Sequence, residues 1–403
     1  MSRESWSRSV ARQRRGSPQA PRAPSGTVLT SRLPIARPDL GGNEEDYVVG
    51  AVRSSWISST GVYLARFEKE FAELCGTRHA IAVSNGTVAL HVALIALDVG
   101  PGDEVIVPSL TYIASVNVIR YVGATPVFVD VDPTSWCLDV SAVEAAVTSR
   151  TKAVIAVHLY GQPADMDALG AVCTPRGIRI VEDVAEAPLA SYHGRPTGGL
   201  GDVGTFSFFG NKLFTSGEGG AVTVNDDDLA ARIRLLSDQG MDPKRRYNFP
   251  IVGYNFRLTN VAAALLCAQL ERRSEFLAAR NRIYRGYEAR LGGVPGLTLQ
   301  ADIAGTQRCP WLFSALVDSA GFGQDRDALM AHLDAAGIET RPFFPPVHRQ
   351  PPYEADARDQ GAHLPVSDRL AAQGLNLPTF VAMTEADVNR ICDAVLACAR
   401  TAS

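Results

Sequence analysis

The stretch SFFGNKLFTSGEGG, residues 207–220, places one ammonium group, Lys212, between aromatic residues and a glycine-rich run. The chain has only four lysines, Lys69, Lys152, Lys212 and Lys244, among 39 basic residues. Arginine stays protonated and cannot act as an amine nucleophile, so only these four positions could form a Schiff base with an aldehyde. Lys69, in ARFEKEFAEL, falls on the charged face of an amphipathic helix. Lys152 stands at the entrance of the apolar strand TKAVIAVHLY, and Lys244 in the polar loop DPKRRY. Lys212 alone is flanked by Phe206, Phe208, Phe209, Leu213 and Phe214. Desolvation disfavours an ammonium relative to its free amine, and the free amine is the nucleophile. A lysine snorkelling from an ordinary apolar strand is the alternative.

An amine nucleophile needs partners, and the candidates sit where apolar runs end. Ser84-Asn85-Gly86-Thr87 opens a helical pattern. Backbone N–H groups there, with a hydroxyl beside them, suit a phosphate, or the segment is a plain cap. Tyr112 follows the next apolar run and could stack on a flat ring or cover the surface. Asp183, with Glu186 beyond it, ends a third run. A carboxylate at a buried strand end needs a partner, and a protonated pyridine nitrogen would be one; a helix cap or salt bridge is the alternative. Ser207 is a second phosphate candidate. In chain order these make a phosphate loop, a stacking aromatic, a ring-nitrogen acid, a phosphate serine and a Schiff-base lysine. Together they match the parts of a pyridoxal 5′-phosphate (PLP) enzyme.

The elements that must position these residues alternate. Strands are expected over 79–84, 104–109, 125–131, 152–159 and 178–183, each of the first four followed by a helical pattern. That alternation predicts an α/β fold with a mostly parallel central sheet, whose ligands bind beyond the carboxyl ends of the strands. A long helical run, 261–291, leads into a smaller α+β unit. The expected organisation is a disordered extension (1–33), a large PLP-binding domain (34–275) and a small C-terminal domain (276–403).

The 403 residues are 46% hydrophobic and 20% charged, with net charge −4, which speaks against nucleic-acid or polybasic membrane binding. No apolar run approaches the roughly 18 residues of a membrane span. The seven cysteines are scattered and show no CxxC spacing, as expected of reduced thiols in a cytoplasmic enzyme with no disulfide framework and no metal site. The first thirty or so residues are rich in Arg, Ser, Pro and Ala and lack an apolar core, so they suit a disordered tail better than a signal peptide. A functional basic arm and an over-extended start are the alternatives.

NGTVALHVAL, GPGDEVIVPSLTYIAS, GATPVFVDVDP, VHLYGQPADMD, TFSFFGNKLFTSGEGG, GYNFRLTNVAAAL and GLNLPT occur together and in order. With them the chain resembles the DegT/DnrJ/EryC1/StrS sugar aminotransferases over residues 34–398. The resemblance implies the aspartate-aminotransferase (type I) fold and PLP as cofactor. It makes Lys212 the Schiff-base lysine and Asp183 the acid on the pyridine nitrogen. Gly86, Thr87 and Ser207 become phosphate contacts, Tyr112 the stacked aromatic, and Glu186 a neighbour of the ring hydroxyl. Asn255 would reach the phosphate of a neighbouring subunit, implying a homodimer with shared sites. WISSTG, QGMDPKRRY and IETRPFFPP resemble one subgroup of the family, and that resemblance implies a nucleotide-linked keto-deoxysugar, GDP-4-keto-6-deoxymannose first, as acceptor; L-glutamate is the expected donor. Asn248 departs from an expected aromatic and marks where the sugar could differ. An aminotransferase acting on another keto-sugar or a cyclitol in natural-product biosynthesis, and a regulator that binds PLP without turnover, are the rival readings.

Overall fold

The computed structural model describes residues 32–400. The apolar runs form β1 (His79–Val83), β2 (Glu104–Pro108), β3 (Thr125–Val129), β4 (Thr151–Val157) and β5 (Arg179–Asp183). Every residue of β2 is buried, as are the last five of β4, as strands covered on both faces require. The helices between them are Gly86–Ala96, Ala114–Tyr121, Val140–Ala146 and Met166–Cys173. Asn85, Asp139 and Asp165 cap three of these by accepting the N–H of Val88, Ser141 and Ala168.

Short strands β6 (Ser191–Tyr192) and β7 (Arg195–Pro196) precede β8 (Val203–Ser207) and β9 (Gly220–Val224). The sheet runs β1-β9-β8-β5-β4-β2-β3. From β8 to β3 neighbours are parallel; β9 is antiparallel to both β8 and β1. Residues 208–219 turn the chain directly back beside β8 without a crossover helix, so β9 must reverse. All the other strands then end on one edge. The segments 84–87, 109–113, 158–161 and 184–186 share that edge with the 208–219 connection.

The chain continues through β10 (Leu297–Leu299), β11 (Thr306–Gln307), β12 (Phe313–Val317), β13 (Arg341–Pro342) and β14 (Gly374–Leu377). β11 extends β6 and β7, while the rest form an antiparallel sheet, β10-β12-β14-β13, with its own apolar cluster around Tyr287, Phe313, Leu375 and Ile391. The helical run expected over 261–291 breaks at Arg272 (φ −97°, ψ 10°) into Asn260–Glu271 and Arg273–Leu291. There the Arg272 guanidinium is held by Asp39 at 2.5 Å and Glu275 at 2.7 Å. From Leu33 onward the residues form one compact unit. A division near residue 276 remains our proposal, supported by the separate sheet and cluster. The expected extension lies outside the described residues up to residue 31, and Leu33 already bridges to Ile338. The seven cysteines are buried. Among the described residues no helix is long and apolar enough to cross a membrane.

Candidate active site

Lys212 sits in the β8–β9 connection, at the edge where the parallel strands end. Its flanking residues Phe206, Phe208, Leu213 and Phe214 do not form the apolar cover expected for its amine; they anchor the loop in a core cluster with Phe67 and Phe71. The side chain is 12% exposed and points at two groups the local sequence does not announce. Nζ lies 3.5 Å from Glu186 Oε1 and 3.8 Å from the centre of the Trp311 ring. The lysine is therefore ion-paired over an aromatic face rather than isolated in hydrocarbon.

Asp183 ends β5 and is 7% exposed. Its Oδ2 accepts from Ser115 Oγ at 2.7 Å and its Oδ1 from Ala185 N at 3.1 Å. Ser115 is in turn 3.1 Å from Thr111 Oγ1. Among the described residues Asp183 has no cationic partner within an ion pair's reach. Glu186, also buried, accepts from Tyr160 N at 2.8 Å through Oε2. Burial pushes the Glu186 carboxyl up against the opposing pull of Lys212 and the Tyr160 N–H, and the nearby Asp183 charge adds to the rise. Of the two buried carboxylates, Glu186 is paired with the Lys212 ammonium and Asp183 is held by neutral donors.

Below Asp183, Glu182 is fully buried and accepts from Gly198 N (2.8 Å), Leu200 N (2.7 Å), Gly201 N (2.8 Å) and His158 Nε2 (3.0 Å). His158 Nδ1 accepts from Ala164 N at 3.0 Å, so the ring proton sits on Nε2. This network fixes the ends of β4 and β5, from which Asp183 and the Tyr160 turn project.

At the β1 end, Gly86 and Thr87 open the helix Gly86–Ala96, whose first-turn N–H groups have no acceptor within the helix. Ser207, at the end of β8, packs so closely that a Cβ on Gly86 would lie 2.6 Å from the Ser207 Cβ. Only glycine allows the serine hydroxyl to converge with the helix N-terminus, and that convergence suits a phosphate. The site therefore pairs an anion-binding end with an acidic end lacking one cation. This charge pattern fits PLP, whose phosphate and protonated ring nitrogen carry the opposite charges.

Tyr112 is 59% exposed, with its ring 5.7 Å from Phe344. Phe344 stacks on Tyr160 at 5.9 Å, and Tyr160 lies nearly parallel to Trp311 at 6.4 Å, so the rings make one wall from Tyr112 to Lys212. Asn255 is exposed, and its Oδ1 accepts from its near neighbour Arg257 Nη2 at 3.3 Å. Its segment runs beside the phosphate loop, since Ser84 N donates to Phe256 O at 2.7 Å. Asn248 closes a turn, donating from Nδ2 to Asp242 Oδ2 at 3.3 Å. Trp311, Tyr160 and Ser115 were not found from sequence. Ser115 lies in the quoted TYIAS block, but Trp311 is 100 positions from the Asn211 it bonds, and no local pattern links them.

The DegT/DnrJ/EryC1/StrS aminotransferase family description matches residues 38–396. GDP-perosamine synthase of Caulobacter vibrioides is 51% identical over 361 residues, covering 89% of this chain and 96% of that protein. GDP-perosamine synthase of Escherichia coli O157:H7 is 42% identical, covering 90% and 97%. The PLP form of a sugar aminotransferase from Streptococcus pneumoniae superposes with a TM-score of 0.87 at 28% identity, covering 92% of this chain and 100% of that one. These likenesses and the charge pattern of the site agree: the chain belongs to the DegT/DnrJ/EryC1/StrS aminotransferase family and is a PLP-dependent aminotransferase.

Proposed function

We propose that this enzyme moves an amino group from L-glutamate to GDP-4-keto-6-deoxymannose, giving 2-oxoglutarate and GDP-perosamine. The observation that carries the proposal is the 51% identity with the Caulobacter vibrioides GDP-perosamine synthase across nearly the whole of both chains. In this reading Gly86, Thr87 and Ser207 hold the phosphate, Tyr112 covers one face of the ring, and Lys212 holds the cofactor covalently through Nζ. Ser115 orients the Asp183 carboxylate to receive the ring N–H. When bound, the cofactor supplies the electron sink that makes the donor's Cα–H acidic and carries the amino group between substrates. Lys212 Nζ takes the Cα proton and later returns one in the second half-reaction, beside a Glu186 carboxylate that keeps the ammonium in place.

A second copy of the chain belongs to this proposal. Trp56, Ile57, Val62, Tyr247, Phe249, Ile251 and Val252 are all exposed, a density of large apolar side chains that suits a covered face. Asn255 stands three positions after Val252 and, in this reading, would complete a neighbouring copy's phosphate site. A homodimer in the cytoplasm accommodates both features.

A coupled assay with L-glutamate and GDP-4-keto-6-deoxymannose, its product identified by mass and NMR, tests the reading. Formation of the 4-amino sugar supports it. Glutamate-responsive cofactor absorbance without that product would move the acceptor to another keto-sugar or a cyclitol. A Streptomyces venezuelae dTDP-3-amino-3,4,6-trideoxy-alpha-D-glucose transaminase, 40% identical, is an example of such a relative. No response to any donor would leave a PLP-binding regulator.

A further inference from the structure

We propose that Trp311 is a positioning residue for Lys212: its indole face seats the ε-ammonium whenever the lysine is not bonded to the cofactor. The inference rests on the reading of Lys212 as the amine that holds PLP. Nζ lies 3.8 Å from the ring centroid, well inside the range of a cation–π contact, and tryptophan offers the strongest such face. The same ring also fixes the lysine's backbone. Trp311 Nε1–H donates to the carbonyl of Asn211, the residue before Lys212, at 2.9 Å. One side chain thus holds both ends of the lysine, and Glu186 closes the third side at 3.5 Å.

The surroundings of Trp311 support a fixed platform. The side chain is 5% exposed. Its carbonyl accepts from Arg280 Nη1 at 2.6 Å, and the same nitrogen bonds the Thr379 carbonyl. Arg280 is buried and makes no ion pair among the described residues, so its guanidinium is given over to backbone carbonyls of the 311 and 379 segments. The other face of the arrangement is locked through Gly161, whose carbonyl accepts from Cys309 N at 3.0 Å. Gly161 has φ +97°, and a Cβ there would meet Cys309 O at 2.0 Å, so the turn admits no other residue at this separation. Tyr160, held at φ 56°, a conformation a bulky residue adopts only when its surroundings impose it, aims its N–H at Glu186. The 160 turn and the 309–311 segment therefore grip each other while presenting Glu186 and Trp311 to the same nitrogen.

Such a seat gives the released lysine one location and one set of neighbours, so the proton it carries is delivered from a constant place. The residues involved come from the large and the small sheet regions, which makes the lysine's position depend on their packing.

The test compares Trp311→Phe, which keeps a ring face, with Trp311→Met, which fills the space without one. Lys212 in cofactor-stripped protein is labelled with an amine-reactive ester, and its rate is read by peptide mass spectrometry against the exposed Lys69 as internal reference. The proposal expects Trp311→Met to raise the Lys212 rate about fivefold or more, with Trp311→Phe nearer to wild type. It also expects kcat of the reconstituted enzyme to fall in the same order, with KM for both substrates little changed. Equal labelling of wild type and both variants would overturn the proposal. Equal change in both variants, accompanied by a matching loss of thermal stability, would overturn it too, because packing alone would then explain the effect. If Trp311→Met does not fold, Trp311→Leu takes its place, with Trp311→Phe deciding whether a ring face restores protection. The labelling readout does not depend on turnover, so its failure would leave the role of Lys212 standing. Failure of that role would appear instead as near-normal turnover by Lys212→Ala.

Discussion

Asp183 and Glu186 are buried within one chain, whereas Asn255 stands beside a segment that one chain leaves uncovered. The acidic end draws its donors from two strand ends and the Ala114–Tyr121 helix: Ser115, Ala185 and Tyr160 all bond it, and Glu182 beneath it has four donors of its own. Segment 247–252 shows the reverse, with Val252 88% exposed and Tyr247 73% exposed. A sheet edge can prearrange charge because the backbone fixes each strand end. A long excursion from the fold cannot do so without something to pack against. Chemistry that depends on exact charge placement sits in the closed part, and the uncovered part is the one we propose a second copy covers.

The largest effect should come from removing the closed region's only lysine. Lys212→Ala should lower turnover by about 10⁴-fold or more and remove the absorbance of lysine-bound cofactor, while the melting temperature stays close to wild type. Turnover within tenfold of wild type would remove the basis of the site assignment. Asp183→Asn comes next. The amide keeps an oxygen for the Ser115 or Ala185 donor but loses the charge, so kcat should fall about 10²- to 10³-fold with little loss of stability. Steady-state kinetics beside thermal melting separate the two; unchanged kcat would sink the ring-nitrogen role.

The closed region was also the more legible in sequence. Gly86, Thr87, Asp183 and Glu186 follow apolar runs, which marks them as candidates, and Ser207 is marked by its place shortly before Lys212; the roles proposed for all five come from the family resemblance. Lys212 stood out because the chain has so few lysines. The setting of Lys212 was not legible, because its neighbours in sequence pack away from it and its neighbours in space come from Trp311 and Glu186. Local sequence records which residues flank a site; it does not record which side of the backbone each faces in an irregular loop. The break at Arg272 was hidden for a similar reason: Asp39, more than two hundred residues away, competes for the guanidinium. Asn248 could be flagged as unusual, but its role as a turn closer with Asp242 depends on a loop path that no periodicity encodes.

The uncovered region offers the third test. Val252→Asp places a charge in a face proposed to be buried against a second copy. Burying an unpaired carboxylate is costly, so self-association should weaken by about tenfold or more, as measured by sedimentation across a concentration series. Activity should fall with the dimer, because Asn255 would no longer reach a neighbouring site, while the fold of each chain persists. If the variant self-associates like wild type, the 247–252 segment is not the interface.

Glu186→Gln should give the smallest change and the finest comparison. The glutamine oxygen can still accept the Tyr160 N–H, so turnover should stay within about tenfold. The charge, however, is gone from beside Lys212 and Asp183. Burial raises the Glu186 carboxyl above its ordinary value, so its protonated form is favoured more in the folded than in the unfolded chain. A raised folded value means that this contribution is fully present below the unfolded pKa and is lost as pH rises through the folded one. Wild type should therefore lose stability relative to Glu186→Gln as pH climbs above the usual carboxylate range. Melting of the two cofactor-stripped proteins between mildly acidic and neutral pH reads the difference directly. A difference that stays flat would mean that the Lys212 ammonium and the Tyr160 N–H fully offset the burial, leaving Glu186 as charged in the fold as in water. A difference that narrows with pH, then reverses, would instead identify Glu186 as a group held ready to change protonation at the lysine it faces.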